Sequence, residues 1–249
     1  MDYAQARIQA RYGERPDESD WHTLAHARDF GTLIEAVRGS GLRRWITSLD
    51  ASSGSHAIEI ALRARWRDTV DELASWMPAK WSPATLWVAG LPDLPALCRL
   101  ARGEPPLPWM SMDPVLQPYS VADVEERRSR LLRSALAFAN LPPVPPEGPD
   151  ATIEPQVRSA WNEQWRRRWP SRRDARALDR LATVVQSGTR ETLLLGRNAL
   201  ALRLRTLFRD VTLHPAVAFV FLAMTAIDMT RLRAELLKHT VLRESGLAS

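Results

Sequence analysis

Apolar residues recur every three or four positions between Ser55 and Met77, and this pattern constrains the fold more than any other feature. Six residues form the repeat, with spacings of 4, 4, 4, 3 and 4: Ile58, Leu62, Trp66, Val70, Leu73 and Met77. These spacings are typical of a helix that buries one face. Ser55 is the predicted N-cap of this helix, and Pro78 is expected to end it because proline cannot continue a helix.

Helical patterns cover most of the chain, and no convincing alternation typical of β-strands occurs. Frequent prolines between residues 77 and 118 allow only short helices there. Ser120, followed by Asp123, is the predicted N-cap of a later helix. The predicted helices, besides the one from Ser55, cover residues 17–28, 30–38, 94–102, 120 to about 139, 151–169, 172–187, 189–210 and 215 to about 241. The sequence therefore predicts an all-α fold.

The segment LPPVPPEGPD, residues 141–150, has five prolines in ten residues and is the predicted linker. It would join an N-terminal helical lobe, residues 1–140, to a C-terminal helical lobe, residues 151–249. The length of 249 residues is enough to bury a substantial core.

The charge of the chain is uneven. Of 34 basic residues, 32 are arginine. Residues 1–119 carry 13 basic and 15 acidic residues, whereas residues 120–249 carry 21 and 14. The C-terminal half is therefore the predicted docking surface for an anionic partner.

The most apolar run, Ala216–Ile227, has twelve residues, whereas a membrane-spanning helix needs about twenty. We interpret the run as a buried core helix. The N-terminus is polar throughout and shows no secretory signal. A cytoplasmic location is expected.

No motif in the sequence predicts a catalytic residue, a metal site or a cofactor. His22 and His26 share a helical face, but no third metal ligand stands at matching spacing. The serines before His56 lack the pattern of a nucleophile elbow, and no glycine-rich phosphate loop occurs. Cys98 lies in an apolar stretch, where burial is expected; a single cysteine excludes a disulfide scaffold.

Three tryptophans, Trp161, Trp165 and Trp169, repeat every four residues next to basic residues: Arg166, Arg167, Arg168, Arg172, Arg173 and Arg176. Aromatic rings beside cations can bind single-stranded nucleic acid, or the arginines can contact an acidic protein or anionic lipid. The same spacing describes an amphipathic helix with buried tryptophans and solvated arginines. We favour the packing interpretation and keep an anion-binding module as the alternative.

The two ends of the chain carry a family resemblance. The N-terminal stretch Ala6-Arg7-Ile8-Gln9-Ala10-Arg11 is followed by a polar turn and a helix with Trp21 and Leu24. Near the other end, Pro215 and the apolar stretch Ala216–Leu222 precede Asp228 and Arg231-Leu232-Arg233. In order and spacing, residues 4–104 and 190–245 resemble the rotor-coupling C-type subunits of archaeal and bacterial A/V-type ATPases, which are relatives of the d-type subunits of eukaryotic V-type ATPases.

The resemblance implies a non-catalytic rotor part of an ATP-driven ion-translocating complex. Such a protein links the central shaft to the membrane ring of proteolipid subunits, at the cytoplasmic face, and transmits torque. Members of the family usually exceed 300 residues in three helical lobes, so this chain would be a shortened member. Asp228 stands where the family more often has Glu. The partner-binding candidates are Arg7, Arg11, Trp165, Arg166, Arg167, Arg168, Arg172, Asp228, Arg231 and Arg233; for Asp228 we also expect pairing within the chain.

Overall fold

A computed structural model describes residues 1–134, 153–171, 174–195 and 197–244, without the side chains of 186–195, 197–198 and 242–244. Within these residues every regular element is a helix, which confirms the predicted all-α class. The predicted linker at 141–150 and Arg172 lie outside the described residues.

The α-helices, in chain order, are α1 (Asp2–Gly13), α2 (Glu18–Ala25), α3 (Phe30–Arg38), α4 (Ser55–Trp76), α5 (Ser82–Trp87), α6 (Leu94–Ala101), α7 (Val124–Arg133), α8 (Ile153–Arg167), α9 (Ala175–Leu195), α10 (Arg197–Asp210) and α11 (Ala216–Glu244). Short 3-10 helices lie at Arg43–Trp45, Ala79–Trp81, Val88–Asp93, Pro108–Ser111 and Gln117–Tyr119.

Several predicted helix boundaries were wrong. Helix α2 ends at Ala25 rather than Arg28, and α7 ends at Arg133 rather than near residue 139. The N-cap of α4 is Gly54, and Ser55 is already helical. The N-cap of α7 is Asp123, whose carboxylate accepts the Glu126 N–H at 2.7 Å, because the Ser120 hydroxyl donates instead to the Leu116 carbonyl. Helix α9 continues through residue 188, where a break was predicted. A single glycine costs about 1 kcal/mol in a helix interior, which good helix formers around it can offset.

The compact units differ from the predicted lobes. Met1–Leu86 and the described residues of Pro170–Ser249 form the first unit, and the described residues of Trp87–Trp169 form the second. Both ends of the chain fall in the first unit because helix α11 packs against α1, α3 and α4 as well as against α9 and α10. The two ends of the chain therefore share one core.

The core of the first unit is built on α4 and α11. All six residues of the predicted apolar stripe are buried, five of them on α4 and Met77 at its C-cap. The first seven residues of α11, Ala216–Leu222, are also buried, which confirms the predicted core helix. Among the described helices, none has both the length and the apolar character that crossing a membrane requires.

In the second unit, α6 packs against α7 and α8. Cys98 on α6 is buried as predicted, and burial, together with the charge of Glu154, raises the pKa of its thiol to about 11. Arg127 on α7 is also buried, and its guanidinium donates a 2.6 Å hydrogen bond to the Glu104 carbonyl.

Gly41 marks a close backbone approach in the first unit. A methyl group on its Cα would overlap the Glu14 carbonyl oxygen and come within 3.1 Å of the Pro16 nitrogen. Both neighbours are backbone atoms, which cannot rotate away as a flexible side chain can. The turn between α1 and α2 is thereby held against the segment that follows α3.

We expect Gly41→Ala to lower the free energy of unfolding by about 1–3 kcal/mol, the usual cost of overpacking. The matched control is Gly13→Ala, since nothing lies within 4 Å of a methyl group there. Urea unfolding of both variants measures the difference. Equal stability of the two variants would contradict the close approach.

Candidate functional site

A buried ion pair joins the N-terminal region to α11. The Arg15 Nε lies 2.8 Å from a carboxylate oxygen of Asp228, and both side chains are largely buried. A second guanidinium nitrogen of Arg15 donates to the Met224 sulfur at 3.4 Å. The expected internal pairing of Asp228 is therefore confirmed, with a partner 213 residues away in the chain.

Burial raises the pKa of Asp228 above its ordinary value, although the hydrogen bond and charge of Arg15 oppose the shift. The charges of Arg205 and Arg231 oppose it further. Removing a carboxylate from water disfavours its charged form, and here this cost exceeds the gain from the arginines.

Glu72 on α4 binds two arginines from different segments. It accepts hydrogen bonds from Arg11 on α1 and, at 3.0 Å, from Arg44 in the 3-10 helix after α3. Burial alone would raise the pKa of Glu72, but Arg11 and then Arg44 outweigh it and hold the pKa below its usual value. Burial would likewise lower the pKa of Arg11, yet Glu72 and Glu14 raise it.

A further ion pair, between Glu59 and Arg233, connects α4 to α11. The Arg233 Nε donates to a Glu59 carboxylate oxygen at 2.7 Å, and the other oxygen lies 3.8 Å from the Arg63 Nε. Glu59 is buried, so its charge needs these partners. We call the three carboxylates Glu59, Glu72 and Asp228 and their arginines the ion-pair network; its arginines are Arg11, Arg15, Arg44, Arg63 and Arg233.

A cavity of about 30 Å³ lies beside this network, lined by Arg11, Arg15, Arg44 and Asp228 among others. One or two water molecules fill such a volume, whereas small-molecule sites have about 300–1,000 Å³. The cavity can hold water that solvates the charges, but it is too small for a metabolite.

The other candidates from the chain ends also contact this unit. The Arg231 guanidinium lies 4.3 Å from the centre of the Trp21 ring and 3.7 Å from a Glu18 oxygen. The Arg7 guanidinium lies 5.0 Å from the centre of the Trp76 ring and is exposed. Within the described residues, the candidates of the chain ends thus all make contacts inside the first unit.

We expect Arg15→Met to lower the free energy of unfolding by about 3–5 kcal/mol, because it leaves Asp228 buried without its close partner. The exposed pair of Arg180 and Asp210, at 2.8 Å, supplies the control: Arg180→Met should change stability by less than about 1 kcal/mol. Equal losses in the two variants would show that the buried pair is unimportant.

The same carboxylate should make stability depend on pH. Because the folded-state pKa of Asp228 exceeds its ordinary 3.8, the folded protein binds this proton more tightly than the unfolded chain. Protonation of Asp228 therefore contributes fully to the free energy of unfolding below pH 3.8. This contribution is lost as the pH rises through the folded-state pKa of Asp228. Urea unfolding should therefore show that the free energy of unfolding falls more between acidic and neutral pH in Arg15→Met than in the wild type. In Asp228→Asn the part of this fall that comes from residue 228 should be absent. An equal pH dependence in all three proteins would contradict the assignment.

In the second unit, four tryptophans form a row: Trp87, Trp161, Trp165 and Trp169. Ring centres are 6.4 Å apart for Trp87 and Trp161 and 5.9 Å for Trp161 and Trp165, both stacked. Trp165 meets Trp169 edge-on at 5.0 Å. Trp161 and Trp165 are each only 7% exposed. The favoured packing interpretation of this repeat is confirmed.

The arginines of α8 lie on the solvent side of this row. Arg166 and Arg167 are exposed, and Arg167 pairs with Glu163 one turn away. The Arg168 guanidinium stacks 3.7 Å from the centre of the Trp87 ring, where partial burial lowers its pKa. Nucleic-acid bases have no free face of Trp161 or Trp165 on which to stack, although Arg166 and Arg167 can still contact an anion.

We expect Trp165→Ala to lower the free energy of unfolding by about 3–5 kcal/mol, the usual cost of removing a buried aromatic side chain. Arg167→Ala, one helical turn from its exposed partner Glu163, should change it by less than about 0.5 kcal/mol. Chemical denaturation followed by tryptophan fluorescence compares the two. A small loss in Trp165→Ala would mean that the row is not part of the core.

The remaining motifs serve local structure. His22 and His26 stack at 4.1 Å, and the His26 Nδ1 lies 2.8 Å from the His22 carbonyl oxygen. Ser52 hydrogen-bonds through its hydroxyl and its backbone N–H to the Asp50 carboxylate. In the part of the chain that the structure describes, no three His, Cys, Asp or Glu residues are grouped so as to hold a metal ion.

Sequence reasoning named Arg11, Asp228 and Arg233 but missed their partners Arg15, Glu59 and Glu72. One signal was present: Glu59 and Glu72 each stand next to a residue of the apolar stripe on α4, where a charge requires a partner. No family model, curated protein or solved structure matches the chain.

Proposed function

We propose that this chain is a non-catalytic coupling component of an ATP-driven ion-translocating complex of the A/V type. It would link the central shaft to the membrane proteolipid ring at the cytoplasmic face and transmit torque between them. The proposal rests on the resemblance of the two chain ends to the C-type subunits of these ATPases.

One observation supports this proposal above the others. Much of the two segments that carry the resemblance packs into the first unit, where Arg15 and Asp228 join the start of the chain to its last described helix. A resemblance that spanned unconnected parts of the structure would carry less weight. Here most of the matching residues, 4–86 and the described part of 190–245, belong to one compact unit.

The first unit also has the mechanical character that torque transmission needs. Its longest helices, α4 with 22 residues and α11 with 29, are about 33 Å and 44 Å long at 1.5 Å per residue. Two buried carboxylates, Glu59 and Asp228, tie α11 to α4 and to the segment after α1. Sliding of these helices would separate buried charges from their partners, which is costly, so the unit should resist deformation.

The test is purification of the affinity-tagged full chain from membranes of its native host in mild detergent. The proposal predicts that proteolipid and shaft proteins co-purify with it, and that cells without the chain hydrolyse ATP without translocating ions. The untagged chain is the control for retention on the resin. If neither the ring nor the shaft is retrieved, the proposal is wrong.

A further inference from the structure

Positive charge is concentrated in the last third of the chain. Residues 170–249 contain 13 basic and 7 acidic residues, an excess of six, whereas all other residues contain 21 basic and 22 acidic ones. In the described part of the first unit, much of this excess lies on α10, which has Arg203, Arg205 and Arg209 on exposed positions.

Helix α10 has two opposite faces. Leu204, Leu207 and Phe208 are buried and pack into the unit. On the opposite side, Leu202, Arg205, Thr206 and Arg209 are exposed and fall within an arc of about 100° at 3.6 residues per turn. The exposed face therefore carries two arginines, Arg205 and Arg209, and one leucine, Leu202, which is 63% exposed.

The two arginines of this face are available to a partner. Among the described residues, neither Arg205 nor Arg209 forms an ion pair, unlike the arginines of the ion-pair network. The charge of Arg205 acts on Asp228 only from beyond salt-bridge distance. A planar guanidinium suits the two oxygens of a carboxylate, so a carboxylate-bearing partner fits both residues.

Leu213, in the turn that follows α10, is a second exposed leucine close to this helix in the chain. It is 51% exposed and has a φ of 61°, a left-handed conformation that leucine rarely adopts. The side-chain oxygen of the buried Gln5 accepts the Leu213 N–H at 3.0 Å and supports this conformation. An exposed leucine in a strained conformation adds little to the core, and such strain is often found at functional sites.

We propose that Leu202, Arg205, Arg209 and Leu213 form a docking surface for an acidic amphipathic helix of a partner protein. The two leucines would contact apolar residues at the ends of the partner helix, and the arginines would bind the carboxylates between them. A lipid surface fits less well, because a helix that lies on a membrane inserts its apolar face, and that of α10 is buried in the unit. The inference does not depend on the proposed function.

The test uses the full chain and a fluorescent synthetic helical peptide with Leu every three or four residues and Glu between them. Fluorescence anisotropy should show binding that weakens as salt rises. The double variant Arg205→Glu/Arg209→Glu should lose at least about tenfold in affinity. Its matched control is Arg28→Glu/Arg43→Glu, which makes the same charge change at two exposed arginines of the same unit and should bind as the wild type does.

Leu213→Asn separates docking from folding. Asn accepts a left-handed conformation more readily than Leu, so the melting temperature should stay the same or rise while the affinity for the peptide falls. Three outcomes would overturn the inference: no binding of the acidic peptide, equal binding of a peptide with Lys in place of Glu, or an unchanged affinity in Arg205→Glu/Arg209→Glu. Binding to anionic phosphatidylserine vesicles that this double variant abolishes, without binding to the peptide, would assign the surface to lipid instead.

Discussion

Charges buried against α11 determine how the first unit is assembled. Asp228 cannot be buried alone, and Arg15, which neutralises it, lies 213 residues earlier in the chain. Glu59 and Arg233 repeat this arrangement across 174 residues. Apolar packing alone would tolerate small shifts of α11 along α4, but a buried carboxylate accepts only a position in which its arginine is within reach. These pairs therefore fix the register of α11.

The helices could be predicted from the sequence because their apolar spacing is a local property. The stripe of α4, the bounds of α3 and the burial of Ala216–Leu222 all follow from residues near one another in the chain. The units could not be predicted in this way. The proline-rich segment at 141–150 suggested a boundary, but the grouping of helices depends on which helix α11 contacts, and no local pattern encodes that choice.

In the candidate site, too, local features could be predicted from the sequence and contacts between distant residues could not. Composition and resemblance drew attention to Arg11, Asp228 and Arg233 as charged residues, and a partner inside the chain was expected only for Asp228. Whether such a charge faces a partner protein or a residue of its own chain depends on three-dimensional proximity, which the sequence does not contain. The tryptophan repeat on α8 was easier to interpret, since four-residue spacing already favoured burial of one helical face.

The arginines of the first unit fall into two groups: those held in ion pairs inside the unit and those on the exposed face of α10. Buried carboxylates bind Arg15, Arg63 and Arg233, and the half-buried Glu72 binds Arg11 and Arg44. These arginines hold the unit together, so they have little capacity left for a partner. Arg205 and Arg209 form no ion pair with any described residue, yet α10 packs on both α9 and α11, and Gln5 of α1 holds the turn after it. A partner that docked on α10 would therefore act on a surface directly connected to the helices that the ion pairs fix in place. In this arrangement a load on the exposed face of α10 would pass into the helices that the buried charges hold, rather than being absorbed by a loose surface helix.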